Sequence, residues 1–346
     1  MVTPTPRSIA PVGPPQLHNP QGQLLDGVYS TAVVDPQLRA PRFRLKEWHY
    51  ASVVTADWFL AFAVVQVGYV ANLFVYWLDR SDPARLWQCE ELSPLGQALD
   101  FGPSSLSGET VWQRKDQRVA ITSSCGQDGR GRWHVELDLQ LQQPGHRARR
   151  LQAQLDMQGS EALALVHRLA SGNTAYTHKE CGQLCTGALS LGSANYAVQG
   201  LASLDWTRSH AERVTRWKWA SAALELPDGR RVGLNLSAQV YDDAAGHSRE
   251  NALWLHDRRF PLQGVEFSVP QRPEAQQWRI QSLDGEEVSL EFQPLGARRQ
   301  SLHLGLVVSK FIQPFGLFNG TIRPKGHSPL RVVDAFGVVE DHYAKW

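Results

Sequence analysis

The clearest regularity in the chain is strict alternation of apolar and polar residues. Trp133, Val135, Leu137, Leu139 and Leu141 share one parity, with His134, Glu136, Asp138 and Gln140 between them. Successive side chains of a strand point to opposite faces, so this pattern predicts a strand with one buried face. Leu151, Ala153, Leu155 and Met157 repeat it after the turn-rich run Pro144-Gly145-His146-Arg147. Two further stretches carry a turn signal inside the alternation. Trp278-Arg279-Ile280 leads through Asp284-Gly285 to Val288, Leu290 and Phe292, and Leu224-Glu225-Leu226 leads through Pro227-Asp228-Gly229 to Val232, Leu234 and Leu236. Asp-Gly between alternating runs predicts a hairpin, because glycine supplies the positive φ of the favoured turns.

One segment has no alternation. Residues 58–78 form 21 consecutive positions without a charge, long enough to cross a bilayer as a helix. Its valines and aromatics, with Gly68 at the middle between Gln66 and Asn72, predict two buried strands and a turn instead. The one helical signal is residues 160–169, where Ser160 can cap and Leu163, Val166 and Leu169 fall near one face. Many strands at hairpin spacing define an all-β protein of antiparallel barrel or sandwich units with few short helices. At 346 residues, two consecutive units fit. A proline-rich lead is expected over 1–24, a first β-unit over 25–175 and a second over 176–346. The turn-rich stretch 170–195, with its four glycines, marks the junction.

Composition then narrows the function classes. Thirty-five basic residues against 34 acidic ones leave a net charge of +1, which argues against a polyanion-binding surface and so against nucleic acid as partner. Four irregularly spaced cysteines in a chain this long are no disulfide framework. The lead, with six prolines between Pro4 and Pro20, has no apolar run resembling a signal peptide. A reduced, cytoplasmic protein without a transmembrane segment is expected. No P-loop, dinucleotide fingerprint, nucleophile elbow or kinase set is present, and no cofactor is expected. His178 with Cys181 and Cys185 offers three zinc-type ligands. There is no fourth at finger or ribbon spacing, so no metal is expected.

Candidate chemistry concentrates in the second half. Asp205 stands beside Trp206; if it faces inward among aromatics, its charged form is disfavoured and it can serve as a proton donor. Trp217 and Trp219 share a strand face, as a core plug or as one wall of a cavity. Glu250, Asn251 and Trp254 add a carboxylate, an amide and an indole, with Glu250 and Trp254 placed on one face.

The order His178-Lys179-Glu180, Asp205-Trp206-Thr207-Arg208, Trp217-Lys218-Trp219-Ala220, Gly233-Leu234-Asn235-Leu236 and Glu250-Asn251-Ala252-Leu253-Trp254 resembles a bacterial family named domain of unknown function 2804. The ending from Phe336 to Trp346 resembles that family's last strand, while Ser209 stands where the family pattern has glycine. More remotely, the chain is similar to lipocalin-related two-barrel proteins that include carotenoid hydratases. That likeness implies two lipocalin-like units and an apolar cavity for a small hydrophobic, lipid- or isoprenoid-like ligand. It casts Asp205 as general acid, His178 or Glu180 as proton partner, and Trp217 and Trp219 as cation-stabilising walls. By their clustering with acids in the second half, Trp206, Trp217, Trp219, Glu250, Asn251 and Trp254 are the candidate ligand-binding residues. A cofactor-independent hydratase, lyase or isomerase and a non-catalytic lipid carrier are the two leading expectations. A carbohydrate-modifying protein using Asp205 and Glu250 as paired carboxyls stands behind them.

Overall fold

The alternating runs and hairpin turns of the sequence become antiparallel strands throughout the computed structural model. It describes residues 11–38, 40, 41, 43–243, 245–304 and 307–345. The first ten residues of the expected lead, and Trp346 of the terminal run, lie outside the described residues. The first sheet comprises β1 (Gly27–Tyr29), β2 (Lys46–Val54), β3 (Trp58–Gln66), β4 (Val70–Asp79), β5 (Asp82–Pro94), β6 (Leu99–Asp100), β7 (Gly108–Arg114), β8 (Gln117–Cys125), β9 (Gly131–Leu141), β10 (Arg149–Gln158), β11 (Leu163–Arg168), β12 (Thr174–Leu191) and β13 (Ala194–Ser209). The second comprises β14 (Val214–Glu225), β15 (Arg231–Ala238), β16 (Ala252–Leu255), β17 (Arg258–Pro261), β18 (Val265–Ser268), β19 (Trp278–Ser282), β20 (Val288–Leu304), β21 (Val307–Ile322) and β22 (Leu330–Lys345).

Neighbours in the first sheet run β5-β4-β3-β2-β13-β12-β10-β9-β8-β7-β6, with β11 also on β12 and β1 on β11; in the second they run β17-β16-β15-β14-β22-β21-β20-β19-β18. Each sheet curls into a half-barrel, giving two lipocalin-like units.

The alternation holds where one face is wet. On β9 and β10, Trp133 pairs with Met157, Val135 with Leu155 and Leu137 with Ala153, all buried, while their sequence neighbours are partly or fully exposed. The Asp-Gly turns close β14 on β15 and β19 on β20, with Leu224 opposite Val232 and Ile280 opposite Leu290. The uncharged run 58–78 is the hairpin β3–β4. Its lack of alternation has a packing cause: Leu60, Phe62, Val75 and Trp77 face the first unit's own core, whereas Phe59, Ala61, Phe74 and Tyr76 face the second sheet. A strand covered on both sides needs apolar residues on both. No helix among the described residues is long and apolar enough to cross a membrane.

Two expectations need correction. The segment 160–169 contains no helix. It carries β11, with Leu163 and Leu165 packed on one side and Ala164 and Val166 on the other, so its apolar residues serve two cores at strand spacing. The changeover between sheets falls between Ser209 and Val214, and the junction expected near 176 lies inside β12. The glycines of 170–195 are no linker: Gly172 and Gly192 lie in hairpin turns, Gly182 at a bulge, and Gly187 inside β12 pressed against β10. Gly182, at φ +75, sits where the β12–β13 register shifts between Cys181 and Gln183. There β12 meets β15 backbone to backbone. A Cβ on Gly182 would lie 2.8 Å from Gly233 N, and one on Gly233 would lie 2.2 Å from Cys181 O. Only glycine at both positions permits that approach.

The units share a third core in which Tyr50, Phe59, Phe74 and Tyr76 of the first sheet meet Trp219, Phe315, Phe336 and Val338 of the second. Polar contacts add to it: Asp257 bridges Arg130 at 2.9 Å and Arg231 at 2.7 Å, and Tyr76 donates its hydroxyl to Gln313 Oε1 at 2.7 Å. At about 2 kcal/mol per buried large apolar side chain, this shared core outweighs any single polar contact across the junction.

Candidate functional site

Register fixes which side chains face one another between the sheets. Across β13-β2-β3-β4-β5, one row runs Asp205, Tyr50, Ala63, Phe74 and Glu90, and the next runs Thr207, Trp48, Val65, Asn72 and Leu92. On the second sheet Ser237, Trp219 and Glu340 form a row continued by Gln313 and Arg298, and Trp217, His342, Phe311 and Gln300 form its neighbour. The two faces enclose a cleft of about 1220 Å³, its open mouth included. Aromatic rings make much of the wall. Trp48 stacks on Trp217 at 6.0 Å, and Tyr50 meets Trp219 edge to face at 5.3 Å.

Buried charge is concentrated at the β12–β13 end of this cleft. Lys179 pairs with Asp205 Oδ2, and its Nζ lies 3.5 Å from Glu250 Oε1. Asp205 Oδ1 also accepts hydrogen bonds from Thr207 Oγ1 at 2.9 Å and Thr177 Oγ1 at 3.3 Å. Burial alone would push the Lys179 ammonium down; the charges of Asp205 and Glu250 reverse this and hold it above its ordinary value. Glu250, 1% exposed, has no hydrogen-bond partner for Oε1 among the described residues. Burial pushes its carboxyl up to about 7, and Asp205 adds to this while Lys179 opposes it.

Glu340 lies one strand from Trp219. Its Oε2 accepts from Trp217 Nε1 at 2.8 Å and its Oε1 from Gln313 Nε2 at 2.6 Å. Burial pushes it up to about 7 as well, against those two donors and with the Asp205 charge. His342 sits edge-on to Trp217 at 4.0 Å, shares a hydrogen bond of 2.9 Å with Ser309, and is pushed down to about 3 by burial and by Arg298. The cleft therefore combines apolar aromatic walls with two carboxyl groups that are partly protonated near neutrality. Such groups can give or take a proton where water is largely excluded.

Four of the candidates from sequence, Asp205, Trp217, Trp219 and Glu250, line this cleft together. Five do not, for reasons of strand parity and local turns. His178 and Glu180 flank Lys179 and so point to the opposite face of β12. There His178 contacts Ser105 Oγ at 2.8 Å and Glu180 Oε1 at 2.9 Å. Glu180 Oε2 in turn accepts from Ser160 Oγ at 2.9 Å and Gln183 Nε2 at 2.7 Å. They border a separate pocket beside residues 128–131 and 257–258. Trp206, adjacent to Asp205, is likewise turned away, into a core with Leu17, Val33 and Tyr176.

Trp254 packs with Leu163, Leu165 and Ala252 and donates to Glu161 O at 2.7 Å. Asn251 braces the backbone, accepting from Ser237 N at 2.7 Å and donating to Gln263 O at 2.8 Å. The shared face expected for Glu250 and Trp254 fails because Glu250 lies in the turn before β16, where strand parity does not apply. His178, Cys181 and Cys185 diverge: Cys181 approaches Ser221 Oγ at 3.6 Å, and Cys185 enters the first core.

Lys179, Glu340, Trp48, Tyr50 and Arg298 also line the cleft, and none of them was among the candidates from sequence. Glu340 had a usable signal, because it is an acid following Phe336 and Val338 on one parity of an apolar strand.

Two curled antiparallel sheets joined face to face over an aromatic cleft with buried carboxyls define the class: an all-β, two-unit lipocalin-like protein. The chain belongs to the family described as Domain of unknown function (DUF2804), whose model matches residues 9–346. No curated protein matches the sequence. Among solved structures, it is similar to CghA, determined with Sch210972, at 10% identity and TM-score 0.50 over 87% of this chain and 88% of that one. It is also similar to a protein of Nitrosomonas europaea designated AttH, at 16% identity and TM-score 0.49 over 90% and 98%. Kievitone hydratase from Nectria haematococca aligns at 11% identity and TM-score 0.47 over 96% and 98%. At such identities these likenesses concern the fold alone.

Proposed function

We propose that the protein binds a hydrophobic small molecule in the inter-sheet cleft and transfers protons to and from it without a cofactor, as a hydratase, lyase or isomerase. The observation that carries this reading is the pair Glu250 and Glu340, buried carboxyls in the wall of an aromatic cleft. A protonated carboxyl delivers a proton to an alkene or carbonyl; an ionised one removes a proton from carbon. Cationic character developing on the ligand would lie against Trp217 and Trp219, where an indole face contributes about 2 kcal/mol once water is excluded. In this scheme Asp205 pairs with Lys179 and accepts from Thr177 and Thr207, and its charge helps keep protons on Glu250 and Glu340.

The carrier reading uses the same cleft without the chemistry. The carbohydrate reading loses ground because Asp205 and Glu250 share one counter-ion, Lys179, instead of facing each other across an open groove. Organic extraction and mass spectrometry of the purified protein would identify a held molecule, which is then incubated with fresh protein. Conversion by the parent protein, with E250Q and E340Q binding but not converting it, is the expected result. Binding without conversion by the parent would leave the carrier reading standing and refute the enzyme.

A further inference from the structure

The geometry points to a more particular ligand: an apolar molecule bearing a single carboxylate, anchored by Arg298 and Gln300 at the end of the cleft away from Lys179. This rests on the proposal that the cleft takes a hydrophobic molecule, and adds which end of that molecule goes where. Arg298 is 3% exposed and lies in the cleft wall, its guanidinium 3.9 Å above the Phe74 ring and 5.1 Å from that of Phe311. A cation in such surroundings needs an anion. Its carboxylate partner among the described residues is Glu90, at 3.1 Å from Nη2. Gln300 Nε2 donates to the other oxygen of the same carboxyl group. Two donors on β20 thus already grip one carboxylate by both of its oxygens. The carboxylate they hold belongs to an edge-strand residue whose side chain is 39% exposed, so it can swing into water and leave the two donors to a ligand. Planar, forked recognition of carboxylate is what a guanidinium does best.

The spacing fits one molecule engaging both ends. From Trp219 on β14 through β22 and β21 to Arg298 on β20 is three strand separations, or about 14 Å. Lys179 lies beyond Trp219, its Nζ 5.7 Å from that ring. Phe311, Trp217 and Trp48 fill the interval with apolar surface. A carboxylate at Arg298 would therefore hold the apolar body between the rings and its far end at Glu340 and Glu250. Charge at the Lys179 end is already balanced by Asp205, which leaves that end unsuited to a second anion.

The test uses the fluorescent long-chain acid cis-parinaric acid and its methyl ester as probes, titrated into the full chain at neutral pH. The acid is expected to bind about tenfold or more tightly than the ester, the usual worth of a hydrogen-bonded charge. R298Q should remove that preference, the acid then binding no more tightly than the ester. E90Q takes the anion from buried Arg298 and so should lower stability, which denaturant unfolding reads, but it should strengthen binding of the acid several-fold and leave the ester unchanged, because the competing carboxylate is gone. Equal binding of acid and ester, unaltered by E90Q, would overturn the carboxylate assignment while sparing the hydrophobic cleft. Binding of neither probe would overturn the cleft reading and this one together. Should R298Q fail to fold, E90Q alone decides.

Discussion

Replacing Glu340 by glutamine should make the protein more stable in mild alkali and leave it unchanged in mild acid. The folded-state carboxyl is held near 7, against an ordinary value of 4.5. A carboxyl raised on folding binds its proton more tightly in the native state, so native stability falls as pH rises from about 4.5 to about 7 and stays reduced above that. At about 1.4 kcal/mol per pH unit, the difference is worth about 3 kcal/mol. Glutamine has the same shape, carries no charge, and retains an acceptor for Trp217 Nε1 or Gln313 Nε2, so it escapes the penalty. Below about pH 4 the parent carboxyl is protonated in both the folded and the unfolded chain and is equally neutral, and the two proteins should unfold at the same denaturant concentration.

The comparison must be made variant against parent at each pH. His49 and His342, both held near 3, tilt the whole-protein profile the other way below about 6.5, because their burial disfavours the protonated form. Urea or guanidinium unfolding at pH 4, 6, 7 and 8 reads the effect directly, with a gap of about 3 kcal/mol at pH 8 closing to near zero at pH 4. Parallel curves separated by a constant amount would refute the argument. They would mean that Glu340 titrates at an ordinary carboxylate value, and its role as a proton donor near neutrality would go with it.

Other changes probe the remaining parts of the site and fold. K179M strips the cation from Asp205 and Glu250 and should cost about 3–5 kcal/mol, the usual result of leaving buried charge unpaired; denaturant unfolding that matches the parent would contradict the cluster. G233A forces a methyl group to within 2.2 Å of the Cys181 carbonyl and should lower the melting temperature by several degrees, for a loss of about 2 kcal/mol. An unshifted melting curve would show that β12 and β15 do not meet backbone to backbone. W254F removes the hydrogen bond to Glu161 O and should cost about 1 kcal/mol of stability while leaving probe binding in the cleft intact. W217F should instead weaken binding, since that ring lines the cleft and holds Glu340. The two variants having the same effect on binding would dissolve the distinction between core and wall.

What the sequence determined by itself was local. Alternation at 133–141 and 151–157, Asp-Gly at two turns, and the valine- and aromatic-rich run 58–78 each specify strands and hairpins through backbone geometry and side-chain direction, which need no distant partner. Part of the site was legible too. Trp217 and Trp219 share a parity, and in a strand they must share a face. The same rule already implied that Asp205 and Trp206, or His178 and Lys179, could not point into one cavity together.

What parity cannot supply is which face meets the other sheet. That choice belongs to the packing of two curled sheets brought together by residues far apart in the chain. It put Lys179 and Asp205 inside the cleft, sent His178 and Glu180 to a separate pocket and Trp206 to another core. It also opposed the row of Tyr50 and Phe74 to the row of Trp219, Glu340 and Arg298, drawing the carboxyl of β22 and the guanidinium of β20 into one cleft. The helix expected at 160–169 failed for the same reason, because an apolar spacing that suits one helix face equally suits a strand buried on both sides. Burial, and with it the protonation of Glu250 and Glu340, is a property of that assembly: water is excluded only where the two faces close on each other.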